Sequence, residues 1–139
     1  MGKLFNKKPS DISDNGRRVI RTDEIALALD CILESCDAII RRTNGMTEEE
    51  FYANDDVLKA SAMDMQIIGN YLGQFPLEIR MSSPVLDDAY SFRCRIAHDY
   101  GTVRFEMRYL WGAVHHDVYT IRDACLNIKE QITDSAITE

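Results

Sequence analysis

Residues 22–42 read TDEIALALDCILESCDAIIRR. Within them Ile25, Leu29, Ile32, Cys36 and Ile39 follow at steps of 4, 3, 4 and 3. Each residue advances about 100° around an α-helix, so these steps hold five apolar side chains on one narrow stripe. Thr22 can cap the start, with Asp23 and Glu24 against the positive helix end. Arg41 and Arg42 suit the C-terminal end, and Asn44-Gly45 supply a left-handed stop. A helix apolar on one side only must be covered by other helices.

The same rhythm continues downstream. Thr47-Glu-Glu-Glu50 has the form of a capping box, opening a short helix to about Ala53. Asn54-Asp55-Asp56 caps a long helix with the stripe Leu58, Ala62, Met65, Ile68, Leu72 and Phe75, which Pro76 kinks or ends. Gly69 and Gly73 inside it each cost up to about 1 kcal/mol relative to Ala, so close packing of another backbone is expected there. Ser83-Pro84 is a cap followed by proline at the first helical position, and Val85, Ala89, Phe92 and Ile96 mark the next buried stripe. Gly101 is expected to stop that helix near His98.

Val103, Met107, Leu110, Val114, Val118, Ile121, Cys125, Ile128 and Ile132 then keep a nearly unbroken rhythm, as one helix or two with a break near Gly112. No stretch alternates like a strand. The expected fold is all-α, an antiparallel bundle of four or five helices over residues 20–133, with a polar tail at 1–19 and a fraying end at 134–139.

At 139 residues the chain suffices for one domain, and 45% hydrophobic with 28% charged residues is ordinary for a soluble globular protein. No apolar run approaches the ~20 residues of a membrane span, and the N-terminus lacks the apolar core of a secretory signal. Cys31, Cys36, Cys94 and Cys125 form no CxxC pair, so neither disulfides nor structural zinc are expected, and a cytoplasmic setting fits. The net charge of −7 argues against a general nucleic-acid coat protein but leaves room for a local basic cleft.

Glycine-rich phosphate loops, HExxH and GxSxG are all absent. His115 and His116 are adjacent, about 100° apart on a helix, and cannot grip one metal as an i, i+4 pair would. No metal or cofactor is expected.

The stretch SFRCRIAHDYGTVR (91–104) is different. Arg93 and His98 lie five residues apart, about 140° around a continuous helix. At a helix end the imidazole can turn back, so that Arg93, His98 and Tyr100 share one corner. Such a trio suits a phosphodiester. Arginine binds phosphate oxygens in pairs and stabilises charge growing in the transition state. Histidine can take the proton of a ribose 2′-hydroxyl or return one to the leaving oxygen. The alternative is that both cations only favour a helix C-terminus. A second arginine–histidine pair, Arg108 and His115, has no tyrosine after it.

RCRIAHDYGTV, with R-x4-H-x-Y at 93, 98 and 100, resembles the signature of HEPN-domain proteins of the HepT type. The first helix, EEEFYANDDVLKASAMDMQIIG and YLWGAVHHDVY follow in that family's order, over about residues 22–132. The resemblance implies an all-α bundle that dimerises, with two R-x4-H motifs in one cleft, acting as a metal-independent ribonuclease toxin. It implies a minimal nucleotidyltransferase antitoxin as partner, which silences the toxin by adenylylating the motif tyrosine. Carried over, Arg93 holds phosphate, His98 does acid–base work and Tyr100 is modified; Arg95 and Arg104 are candidate RNA contacts. The chain departs from the family at Cys94, where a polar residue is usual, at Asn70 and around Tyr119. Cys94 favours a second expectation, a catalytically weak HEPN bundle that binds a nucleotidyltransferase or RNA.

Overall fold

The computed structural model describes residues 22–98 and 108–138, with side chains for 24–95 and 108–134. In chain order come α1 (Thr22–Thr43), α2 (Glu48–Ala53), α3 (Asp55–Leu72), α4 (Leu77–Arg80), α5 (Pro84–His98), α6 (Leu110–Gly112), a π-helical turn (Ala113–Asp117) and α7 (Val118–Thr138). Every element among the described residues is helical, so the fold is all-α. The expected tail at 1–19 lies outside the described residues, as do Tyr100, Gly101 and Arg104.

The stripe of α1 is buried at all five positions, Ile25, Leu29, Ile32, Cys36 and Ile39. Each such side chain contributes about 1.5–3 kcal/mol by leaving water, which makes α1 the spine of the core. It packs against α3 on one side and α7 on the other, while α5 packs against both α3 and α7. Two exposed ion pairs, Arg122 with Asp37 and Lys129 with Asp30, fix α7 antiparallel to α1. Arg42 pairs with Asp64 of α3 at 2.9 Å and reaches the buried Ser61 hydroxyl, fastening the end of α1 to α3. The expected role of Arg42 at its own helix terminus is thus joined by an interhelical one.

The predicted punctuation is visible atom by atom. The Thr47 hydroxyl accepts from the Glu50 N–H, and the Glu50 carboxylate accepts from the Thr47 N–H. Asn54 Oδ1 accepts from the Val57 N–H and starts α3. Gly45 has φ of +78°, the left-handed stop after α1. On α3, Ala62, Met65, Ile68 and Leu72 are buried as the stripe requires.

Three boundaries differ from the expectations. Helix α3 ends at Leu72, and buried Phe75 lies in the turn beyond it, because Pro76 starts the one-turn α4 rather than kinking a longer helix. On α5 the buried residues are Leu86, Ala89 and Phe92, while Val85 is half-buried, so the stripe sits one residue away from the expected start. Helix α7 runs to Thr138, past the expected end at 133.

Within 110–132 there is one helical run with no break at Gly112. Leu110, Val114 and Val118 are all fully buried at steps of 4 and 4. Eight residues advance an α-helix about 80° beyond two full turns. The π-turn at 113–117 widens the spiral and absorbs that excess.

Candidate functional site

Arg93 lies on α5, half-buried, with its aliphatic stem against Gly69 of α3. A Cβ added at Gly69 would overlap Arg93 Cβ, stand 2.8 Å from Arg93 Cγ and 3.2 Å from the Ala89 carbonyl oxygen. The expectation of close packing at Gly69 is therefore met, and what fills the space is the base of the candidate catalytic arginine. α5 is helical through His98, so the backbone register separates positions 93 and 98 by about 140°. The side chain of His98 is outside the described atoms. Arg95 is exposed, its guanidinium 5.6 Å from the centre of the Phe92 ring. At two residues' separation, Arg93 and Arg95 emerge about 160° apart, so α5 carries its arginines on opposite sides. Arg93 faces α3, and Arg95 borders a cleft against the last helical run.

That cleft has a volume of about 530 Å³. Its polar lining comprises Asp88 and Arg95 from α5, Tyr109, and His116 with Asp117 from the π-turn. Met65, Phe92 and Ile121 provide apolar floor. His116 Nδ1 lies 3.2 Å from Asp117 Oδ1. His116 is exposed, and it also borders this cleft. The sequence carries no clear signal for the π-turn, because buried residues at steps of 4 and 4 also occur in the regular helix α1, at Ala28, Ile32 and Cys36.

The second arginine–histidine pair is divided between aromatic partners. The Arg108 guanidinium lies 4.9 Å from the Tyr109 ring centre and donates to its hydroxyl at 2.9 Å. His115 stacks on Trp111 at 4.6 Å and 12°. Trp111 in turn packs on Phe51 at 5.3 Å. The Tyr52 hydroxyl donates to the Arg108 carbonyl and accepts from the Trp111 N–H, tying α2 to the start of the last run. This region reads as a fastening.

Burial pushes the Cys36 thiol up to about 12, with Cys125 nearby adding to the rise, and burial alone takes Cys125 to about 12. Both are core residues rather than nucleophiles. Cys94 is half-buried beside Arg93. Among the described residues, no three His, Cys, Asp or Glu side chains are grouped to hold a metal ion, and no helix is long and apolar enough to cross a membrane. Comparison of the chain with family models, curated proteins and solved structures finds no match.

Proposed function

We propose that this chain is a metal-independent ribonuclease toxin of the HEPN, HepT-like kind, a four- to five-helix bundle acting as a cytoplasmic dimer. The observation that carries the reading is the seating of Arg93. Its stem is wedged on Gly69 near the C-terminal end of α5, and that helix continues to His98. A guanidinium whose stem is held by packing loses little freedom when it binds a phosphate, so more of its hydrogen bonding goes into stabilising the reaction. The engagement of Arg108 and His115 with aromatic neighbours adds support, because it disfavours that second arginine–histidine pair for chemistry.

In this reading His98 takes the proton from a ribose 2′-hydroxyl. The 2′-oxygen then bonds to phosphorus, the bond from phosphorus to the 5′-oxygen breaks, and that oxygen receives a proton. Arg93 neutralises the charge gathering on the phosphoryl oxygens. A second copy of the chain supplies the second histidine, so that base and acid need not be one group. A minimal nucleotidyltransferase antitoxin silences the site by placing AMP on Tyr100, adding negative charge and bulk where an RNA phosphate binds.

The half-buried Cys94 favours a second reading, in which the bundle binds a nucleotidyltransferase or RNA without appreciable cleavage. One experiment separates the two. Wild type and His98→Ala are expressed without partner while growth and cellular RNA integrity are followed. Growth arrest with RNA breakdown in the wild type alone supports the toxin; equal, harmless behaviour of both favours the binding module. Co-expression with the partner enzyme should add one AMP to Tyr100 by mass spectrometry, and no such mass would end the regulatory claim.

A further inference from the structure

Position 98 has a closer neighbour on α5 than Arg93. Helix α5 runs from Pro84 through His98, so backbone register relates its positions. Residue 94 stands four before 98, about 40° around the helix and about 6 Å along its axis. Side chains at that separation are neighbours, because a long side chain leans back over the turn before it. Arg93 stands about 100° beyond residue 94, on the side packed against Gly69. Cys94 therefore occupies the arc of α5 between the two residues of the proposed chemistry. Position 98 itself is about two and a half turns from the buried Ala89, so it lies on the side of α5 away from the core.

We propose that Cys94 is a positioning residue for the imidazole of His98. Its sulfur accepts the N–H of one ring nitrogen, so that the other nitrogen is left free to take a proton. A general base is effective when a third group fixes its tautomer and direction in this way. Arg95, three residues before position 98, cannot do this, because a guanidinium has donors and no acceptor. The half-buried setting of Cys94 leaves part of its side chain uncovered for the contact. When the free nitrogen takes the 2′-hydroxyl proton, the ring becomes cationic and its N–H bond to sulfur strengthens. No atom of Cys94 is transferred. Sulfur is a weak acceptor, so it holds the ring more loosely than an oxygen would, and the chain is expected to cut slowly rather than not at all. That use rests on the ribonuclease reading; the Cys94–His98 pair itself does not.

The pair is tested first without RNA. Imidazole C–H resonances of the full chain are followed by NMR over about pH 5–9, and His98→Ala identifies which of the three histidines is which. An acceptor at the ring N–H favours the protonated ring. Cys94→Ala should therefore move the His98 titration to lower pH, and Cys94→Ser should restore it. Cys94→Asn, with a stronger oxygen acceptor, should move it to higher pH. Unchanged titrations of His115 and His116 show that each variant keeps the fold. The same His98 titration in all four proteins overturns the pair. Kinetics on a short oligoribonucleotide then test its use. Cys94→Ala should lower kcat about three- to tenfold at unchanged KM, the loss expected from one net hydrogen bond, and Cys94→Asn should raise kcat. A change in KM alone would make Cys94 a packing residue and overturn the positioning role. Shifted titrations in a chain that cleaves no RNA would sustain the pair and remove the ribonuclease instead.

Discussion

Helices α1 and α5 are both amphipathic, but they use their surfaces differently. α1 devotes one stripe to burial, and its five stripe positions are all shut from solvent. α5 divides its circumference between Leu86, Ala89 and Phe92 in the core, Arg93 against Gly69, and the Asp88–Arg95 face towards the cleft. A face that only excludes water is written in one class of residue at one spacing. A face that borders a cleft mixes classes, and its meaning depends on what lies opposite.

The sharpest way to break the contrast is to cut into both helices. Ile32→Ala on α1 empties a fully buried position and should cost about 2–5 kcal/mol in urea unfolding. Val85→Ala on the half-buried cleft face of α5 should cost less than about 1 kcal/mol. Equal losses would mean that the cleft face is part of the core.

Between α1 and α7 the contrast can be sharpened with pH. Cys36 and Cys125 are both fully buried, and burial raises each thiol from 9.0 to about 12. The folded chain thus favours the protonated thiols. Their contribution to stability is complete below the range of a free thiol and is lost as pH rises from about 9 towards 12. Each thiol should lose about 1.4 kcal/mol per pH unit within that window. Cys125→Val, which cannot ionise, should show a shallower fall of melting temperature between pH 9 and 11 than the wild type. Parallel curves would mean that the thiol is reached by water in the folded state.

How much of this was legible follows from the same contrast. The α1 stripe, the Thr47 capping box, the Asn54 cap and the Gly45 stop depend on residues within a turn of one another, so local spacing was sufficient for them. Phe75 beyond the end of α3 and Leu86 in place of Val85 were misread because chain direction after Pro76 is decided by packing. Arg93 and His98 could be picked out by chemistry, yet the part played by Gly69 in seating Arg93 depends on how α3 and α5 meet. The cleft was the least legible. Asp88 and Arg95 share one face of α5, but His116 comes from a separate stretch, and only tertiary packing of α5 against the last helical run makes it their neighbour.

The most finely balanced effect falls where the two regions meet. Gly69→Ala should gain up to about 1 kcal/mol in helix propensity. Against this, the new methyl would overlap Arg93 Cβ and crowd its Cγ at 2.8 Å. The obstacle is the first carbon of the side chain, fixed to the α5 backbone, so rotation about χ1 cannot clear it. α5 must move outward, and such overpacking typically costs about 1–3 kcal/mol, leaving a net loss of up to about 2 kcal/mol. The cost can be changed by choosing the partner residue. Arg93→Ala retains the Cβ and should leave most of the penalty in place. Arg93→Gly removes the overlap with the side chain and leaves only the 3.2 Å approach to the Ala89 carbonyl oxygen, so in that background Gly69→Ala should cost clearly less than beside arginine. A double-mutant cycle on unfolding free energies reads the difference. If Gly69→Ala costs the same with glycine and with arginine at position 93, the stem of Arg93 does not rest on α3. The seating on which the catalytic proposal depends would then be lost, while the core of α1 and α7 would be untouched.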